Sequence, residues 1–344
     1  MKKILVGLSG GVDSAVVAYL LKESGYDVTA GFMINYLAPE EYCPTLEDKV
    51  VAKEVADYLQ IPFFPFDYVS EYEKKVLEYL YEYRKGITPN PDILCNSEVK
   101  FRIFLDEALA LFDGVATGHY AQIEERNGIF YLKKIDPQKD QSYFLSGLDQ
   151  SQLSKSLFPI GRMLKSEVRS LARDIELPNA QRKDSQGICF VGKVSMKEFL
   201  AKKLPRTPGD IVDTAGKKLG THEGIHFYTI GQRKLDIGGL KDPVFVVKKD
   251  LEKNILIVGT QSETELFSDT IELRHVHFLS GELSFPRTGK GKIRYRQEDQ
   301  DCTVFLEDEQ YKVRFTTPQR AVASGQTFVL YDEWDRVVLS GEIL

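Results

Sequence analysis

A glycine-rich loop and two cysteines are the parts of this sequence whose residue types and spacing could do chemistry. Ser9-Gly10-Gly11-Val12-Asp13-Ser14 follows the apolar run Lys3–Leu8 and opens a helical stretch from Ser14 to about Ser24 that Gly25 stops. Glycines let backbone N–H groups approach a ligand closely, and a helix start adds aligned donors and a positive dipole end. Ser9 and Ser14 add hydroxyls, so the group this loop suits is a phosphate. No Gly-Lys-Ser/Thr follows, which excludes a Walker A loop, and the GxGxxG of a dinucleotide fold is missing. A plain glycine-rich turn is the alternative, and the strand–loop–helix order weighs against it.

Cys95 ends the turn-rich run Thr88-Pro89-Asn90-Pro91-Asp92-Ile93-Leu94, expected to stop just before a helix over Glu98–Phe112. A cysteine near a helix N-terminus gains thiolate character. Cys189 lies in Asp184-Ser185-Gln186-Gly187-Ile188-Cys189-Phe190, directly after Arg182-Lys183, whose positive charges favour a thiolate in the same way. Asp92 is close enough in sequence to Cys95 to be a candidate acid/base. Cys43 and Cys302 have no such neighbours and are expected to be structural thiols. With no CxxC pair, neither a zinc site nor a disulfide framework is supported.

The elements that must position these groups alternate strand and helix over the first ~120 residues. Strands are expected at Lys3–Leu8, Asp27–Met33, Phe63–Phe66 and Gly114–Thr117, and helices at Leu46–Leu59, Glu71–Arg84 and Glu98–Phe112. That order means an α/β fold with an open, mostly parallel sheet, whose ligands sit beyond the carboxyl ends of the strands. From Gln141 to Lys203 the pattern is helical with loops rich in Pro, Gly, Asp and Ser. Beyond Leu204-Pro205-Arg206-Thr207-Pro208-Gly209 it changes to short strands, at Ile211–Asp213, Pro243–Lys248 and Ile255–Val258. The last segment alternates at Lys292–Arg296, Cys302–Leu306, Tyr311–Thr316, Thr327–Tyr331 and Val337–Ile343, which suggests a small antiparallel barrel. Three domains are therefore expected: 1–203 with the phosphate loop and a helical extension, 204–272 as a small β-rich unit, and 273–344 as the barrel.

The 344 residues, with 42% hydrophobic and 28% charged content, are ordinary for a soluble globular protein and name no function. No stretch approaches the ~20 apolar residues of a membrane span. The apolar run at Met1–Gly7 breaks at Ser9-Gly10-Gly11, too early for a signal peptide, so a cytoplasmic protein is expected. The net charge of −6 is uneven: −9 over residues 1–150, +8 over 151–250 and −5 over 251–344. A basic centre in an acidic chain is where a nucleic-acid backbone would bind.

Ser9–Ser14 resembles the loop of the PP-loop ATP pyrophosphatases, which cleave ATP between its α- and β-phosphates and adenylate an oxygen. The resemblance implies that Gly7, Leu8, Ser9, Gly10, Gly11, Val12, Asp13 and Ser14 hold ATP, with Met33 near the adenine and Asp13 helping to position Mg²⁺. The cysteine contexts narrow it further. Together with Ala116-Thr117-Gly118-His119-Tyr120, Lys139-Asp140-Gln141-Ser142-Tyr143-Phe144-Leu145, Tyr228-Thr229-Ile230-Gly231-Gln232-Arg233-Lys234, Arg294-Tyr295-Arg296 and Ser324-Gly325-Gln326, they resemble the tRNA-specific 2-thiouridylase family through the whole chain. The family's stretch after Lys234 is longer and richer in glycine than Leu235-Asp236-Ile237-Gly238-Gly239, which leaves the shape of that loop open.

That resemblance implies sulfur transfer to the wobble uridine of the tRNA anticodon, whose base must turn out into a pocket to expose C2. Cys189 would carry a persulfide received from a cysteine desulfurase or a relay carrier. Cys95 would either release sulfide from it or expel the sulfur from a Cys189 adduct, and both routes end in a Cys95–Cys189 disulfide. Asn90, Pro91 and Asp92 would line the base pocket, Gly118 would border the nucleotide, and His119 would contact substrate. Lys139, Asp140 and Gln141, with Tyr295, Arg296 and Gln326 of the barrel, would contact tRNA. The rivals are another PP-loop adenylating enzyme, against which the paired cysteines argue, and a catalytically idle tRNA-binding protein.

Overall fold

A computed structural model describes residues 1–37, 44–135, 139–183, 196–233, 235, 237–238, 242–281 and 283–344. Cys43, Lys234, Asp236 and the whole segment around Cys189 lie outside the described residues.

The first part is built on strands β1 (Lys3–Gly7), β2 (Asp27–Ile34), β3 (Phe63–Asp67), β4 (Gly114–Ala116), the hairpin β5 (Gln122–Arg126) and β6 (Ile129–Lys133), and β7 (Ser156–Leu157). Five of them form a parallel sheet in the order β3-β2-β1-β4-β7. β1, whose burial pattern shows four consecutive buried residues, is central, as the unbroken apolar run Ile4–Val6 requires. Helix α1 (Val12–Glu23) follows β1, and α2 (Pro44–Tyr58) follows β2. The chain goes from β1 to β2 on one side and returns to β4 on the other, with Val6 beside Ala116. This reversal makes a crevice at the carboxyl ends of β1 and β4.

A further helical run spans Val69–Lys85, and another starts at Pro91–Leu94 and continues through Cys95–Ile103 and Phe104–Ala108. The helix at Pro91 begins seven residues earlier than Glu98 because Pro91 sits in its first turn, where a fixed φ favours helix and no N–H is needed. Cys95 is therefore inside the helix, not ahead of it. The sequence pattern also did not reveal the β5–β6 hairpin or the two-residue edge strand β7.

In the middle, β8 (Gly209–Asp213), β9 (Lys218–His222), β10 (Phe245–Asp250) and β11 (Ile255–Gly259) form a four-stranded sheet in the order β10-β11-β8-β9. The last part is a closed six-stranded barrel of β12 (Phe267–Phe278), β13 (Arg287–Lys292), β14 (Gln300–Glu307), β15 (Gln310–Arg320), β16 (Thr327–Tyr331) and β17 (Val337–Ile343). Its strands pair antiparallel, and β12 against β17 closes it.

The strand expected at Lys292–Arg296 instead ends at Lys292. Its residues Arg-Thr-Gly-Lys-Gly hide it, yet a Cβ on Gly291 would lie 2.5 Å from the Phe328 ring and 2.8 Å from Cys302 Sγ, so the barrel interior admits no side chain there. β12 crosses the boundary expected at residues 272–273. One continuous core joins Leu5 of the sheet, Phe101 and Tyr143 to Val246 of the middle sheet and Tyr331 of the barrel. Among the described residues no helix is long and apolar enough to cross a membrane.

Candidate active site at the crevice of the parallel sheet

The phosphate loop is held by its own hydroxyls and by distant residues. Ser9 N donates to Ser14 Oγ at 3.1 Å, Ser14 Oγ donates to Gly11 O at 3.1 Å, and Gly11 N donates to Ser9 Oγ at 3.4 Å. Gly10 has φ +80°, and a Cβ there would meet Asp48 O at 2.6 Å. The Gly10 carbonyl accepts from Asn179 Nδ2 at 2.9 Å and Arg182 Nη1 at 3.2 Å, while Arg182 also pairs with Asp48. Gly11 caps α1 with no side chain, so first-turn amides are left for an anion.

Asp13, in that first turn, is the meeting point of three elements. Lys165 Nζ contacts both its carboxylate oxygens, at 2.6 and 2.7 Å, and the Tyr120 hydroxyl donates to Oδ1 at 2.8 Å. Gly118 lies so close that a Cβ would come within 2.9 Å of Ser14 N. Met33 is buried on β2, its Cε 3.4 Å from where a Gly7 Cβ would be. Asn35, just past β2, is fully buried, and neither Oδ1 nor Nδ2 has a hydrogen-bond partner among the described residues.

Sequence reasoning passed over Lys165, Tyr120 and Asn35. A signal for Lys165 was present: it is the first residue of the helix Lys165–Asp174, where a cation opposes the dipole and needs an external partner. The pairing of Tyr120 with Asp13, 107 residues apart, has no local signature.

Cys95 lies in the second turn of its helix with no exposed surface, and Asp92 precedes it by three residues, a spacing that shares a helix face. Asn90 is the N-cap of that helix, and its side chain faces the buried Tyr143 hydroxyl. His119 is buried between the rings of Phe101 and Phe158, with Nδ1 2.7 Å from Thr117 Oγ1. Burial, reinforced by the charge of Lys100, pushes its imidazole well below the ordinary range. It is thus a neutral residue fastened to the Cys95 helix. Cys302, inside the barrel, has its thiol pushed up to about 12 by burial, as an inert cysteine should.

The residues expected to meet RNA are spread differently from one another. Lys139 Nζ lies 5.4 Å from the Tyr120 ring, and Gln141 Oε1 accepts from Tyr120 N at 2.9 Å, so both border the Asp13 cluster. Asp140 is 3% exposed and faces the Tyr331 hydroxyl at 3.5 Å. Burial raises its carboxyl against the opposing hydrogen bonds of Ser142 and the charges of Lys292 and Lys134. Tyr295 stacks near Phe144, with centroids 4.3 Å apart, and the neighbouring Arg296 is exposed. Gln326 Nε2 donates to Thr88 O at 2.9 Å. Among the described residues no group of three His, Cys, Asp or Glu could hold a metal ion, and Asp13 is the carboxylate at the phosphate loop.

Three family models match in succession: a tRNA methyl transferase HUP domain at residues 2–193, a tRNA methyl transferase PRC-barrel domain at 197–260, and an aminomethyltransferase beta-barrel domain at 268–343. The chain is similar to a tRNA-specific 2-thiouridylase of Methylobacillus flagellatus, at 47% identity over 358 residues, covering 100% of this chain and 98% of its relative. It is similar to one of Shouchella clausii at 47% over 350 residues, covering 99% and 96%. Among solved structures, an NMN synthetase from Francisella tularensis matches at 17% identity and a TM-score of 0.37, covering 57% of this chain and 71% of that one.

Proposed function

The chain belongs to the tRNA-specific 2-thiouridylase family, and from that premise we propose that it transfers sulfur to C2 of the wobble uridine of tRNA at the expense of ATP. The observation that carries this reading is the segment Thr117–Tyr120. Its Tyr120 hydroxyl grips Asp13 of the phosphate loop, and its His119 ring packs on Phe101 of the helix that bears Cys95. One loop therefore touches the phosphate loop and packs on the helix that bears Cys95, which supports a reaction that couples the two. Methyl transfer, the word in two of the family descriptions, does not in itself require a phosphate-binding loop.

In the first step the uracil C2 oxygen attacks the α-phosphorus of ATP, and pyrophosphate leaves with the P–O electron pair. The loop Gly7–Ser14 and the start of α1 hold the phosphates, Lys165 offsets the charge of the departing pyrophosphate, and Met33 packs by the adenine. Asp13 would hold a Mg²⁺ ion, which would supply charge neutralisation beside the phosphates.

In the second step the terminal sulfur of a Cys189 persulfide attacks C2. The Cys95 thiolate attacks Cys189 Sγ, the S–S bond breaks with its electron pair passing to the transferred sulfur, and AMP leaves as the C2–O bond breaks. In the variant route Cys95 first frees hydrosulfide, which itself attacks C2. Both leave a Cys95–Cys189 disulfide, which an external thiol reduces before the next turnover. Asp92 manages the proton of the Cys95 thiol, and Asn90 and Pro91 border the base. Lys139, Arg296 and Tyr295 supply RNA contacts, and a persulfide-carrying protein reloads Cys189.

The test is nucleoside mass spectrometry of unmodified tRNA incubated with enzyme, ATP, Mg²⁺ and a persulfide source, beside Cys189→Ser. A 2-thiouridine signal that requires ATP and vanishes in the variant is expected. Absence of any thiolated nucleoside, with tRNA bound and the donor competent, would overturn the reading.

A further inference from the structure

The segment between the helical runs Val69–Lys85 and Pro91–Ala108, Gly86–Asn90, is held from three sides. Lys249 Nζ, on β10 of the middle sheet, donates to Gly86 O at 3.2 Å. Both backbone groups of Thr88 are taken by the barrel: Thr88 N donates to Ser324 O at 2.7 Å, and Thr88 O accepts from Gln326 Nε2 at 2.9 Å. Gly325 between them has φ +89°, and a Cβ there would stand 2.3 Å from Ile87 Cγ2 and 2.8 Å from Thr88 N. The turn is therefore pressed flush on the segment, and only glycine allows that approach. Gly325 N to Ile343 O and Ile343 N to Gln326 O, each 2.8 Å, tie the same turn to β17.

Two residues on, the side chain of Asn90 faces the Tyr143 hydroxyl, which donates to Thr327 O at 2.7 Å at the start of β16. Tyr143 has no exposed surface, so its ring direction is fixed by packing. Pro89 and Pro91 stiffen the chain on both sides of Asn90, and the helix with Cys95 in its second turn follows without a break. A displacement at Thr88 has no flexible residue in which to dissipate before it reaches Asp92 and Cys95.

We infer that Gln326 and Tyr143 are positioning residues through which the barrel clamps Thr88–Asn90 and so controls access to the Cys95 thiol. They act through the segment and its helix, not on the reacting atoms. The functional meaning rests on the proposed role of Cys95 in sulfur transfer, but the clamp itself is testable without tRNA or ATP. The fully buried Cys95 is reached by an alkylating reagent only when this region opens locally, and loss of one anchoring hydrogen bond should raise the open population about fivefold.

The experiment compares the full-length wild type with Gln326→Glu, which sets an acceptor against the Thr88 carbonyl, and with Tyr143→Phe, which removes only the hydroxyl. After reduction and removal of the reductant, iodoacetamide labelling is followed residue by residue by peptide mass. Cys302, buried in the barrel, is the internal reference for global opening. The expected result is labelling of Cys95 about fivefold faster in both variants with Cys302 unchanged. Equal acceleration of Cys95 and Cys302 would reduce the effect to general destabilisation and overturn the clamp. So would unchanged labelling of Cys95, including the case in which Gln326→Glu weakens tRNA binding alone and the residue is purely an RNA contact. Whether the wild type thiolates tRNA alters none of these outcomes.

Discussion

The Tyr120 hydroxyl, in the loop between β4 and β5, donates to Asp13 Oδ1 at 2.8 Å, while Lys165 holds both oxygens of the same carboxylate. Asp13 is thus fixed by two partners of different strength. Lys165→Met removes a charge that opposes the developing negative charge on pyrophosphate, and should lower the tRNA-dependent pyrophosphate release rate by ~10²-fold or more. Tyr120→Phe loses one neutral donor and should cost only ~3–10-fold. Both rates are read at saturating tRNA, and a larger loss in Tyr120→Phe than in Lys165→Met would reverse the assigned ranking.

Gly118 abuts the loop backbone, with a Cβ position 2.9 Å from Ser14 N and 3.0 Å from the Asp13 carbonyl carbon. Gly118→Ala must push the start of α1 away from β4. Raised KM for ATP with a thermal midpoint lowered by only a few degrees is the expected pattern. Steady-state kinetics with varied ATP, beside a melting curve, checks it, and an unchanged KM would show that the loop yields without consequence.

Asn35 is buried with both amide atoms unpaired among the described residues, at the carboxyl edge of the sheet where a ligand would lie. Each unpaired buried polar atom costs ~1–3 kcal/mol. Asn35→Leu should therefore raise the melting temperature of the ligand-free protein while lowering thiolation. If melting rises and activity stays, no ligand uses that amide.

Glu342 on β17 joins the barrel to the helical run Val69–Lys85 by accepting from Tyr79 at 2.8 Å, and it pairs with Arg274 and His275. Burial alone would raise its carboxyl, yet the hydrogen bonds of Arg274, Tyr79 and His275 outweigh it and leave the group below its ordinary value of 4.5. With the folded value depressed, the contribution is present above pH 4.5 and fades as the pH falls through the folded value. Wild type should lose stability on acidification below pH 4.5 more steeply than Glu342→Gln, by on the order of 1 kcal/mol. Parallel melting curves from pH 3 to 6 measure the difference, and superimposable slopes would remove Glu342 from the acid response.

Ser9–Ser14, the strands β1 to β4, β16 and β17, and the change from helix-and-strand alternation to short strands near Pro205 are readable because their causes are local. Apolar runs, period-two alternation and glycines next to a helix start each act within a few residues. The tertiary structure alone decided that Tyr120 and Lys165 meet at Asp13, that Gln326 reaches Thr88 across 238 residues, and that β12 closes the barrel on β17. It also decided that β13 is a strand despite its charges and glycines, because Phe328 and Cys302 fill the space its side chains would need. Pairings of this kind depend on which surfaces the packed core brings together, and no property of either residue's sequence neighbours encodes its distant partner.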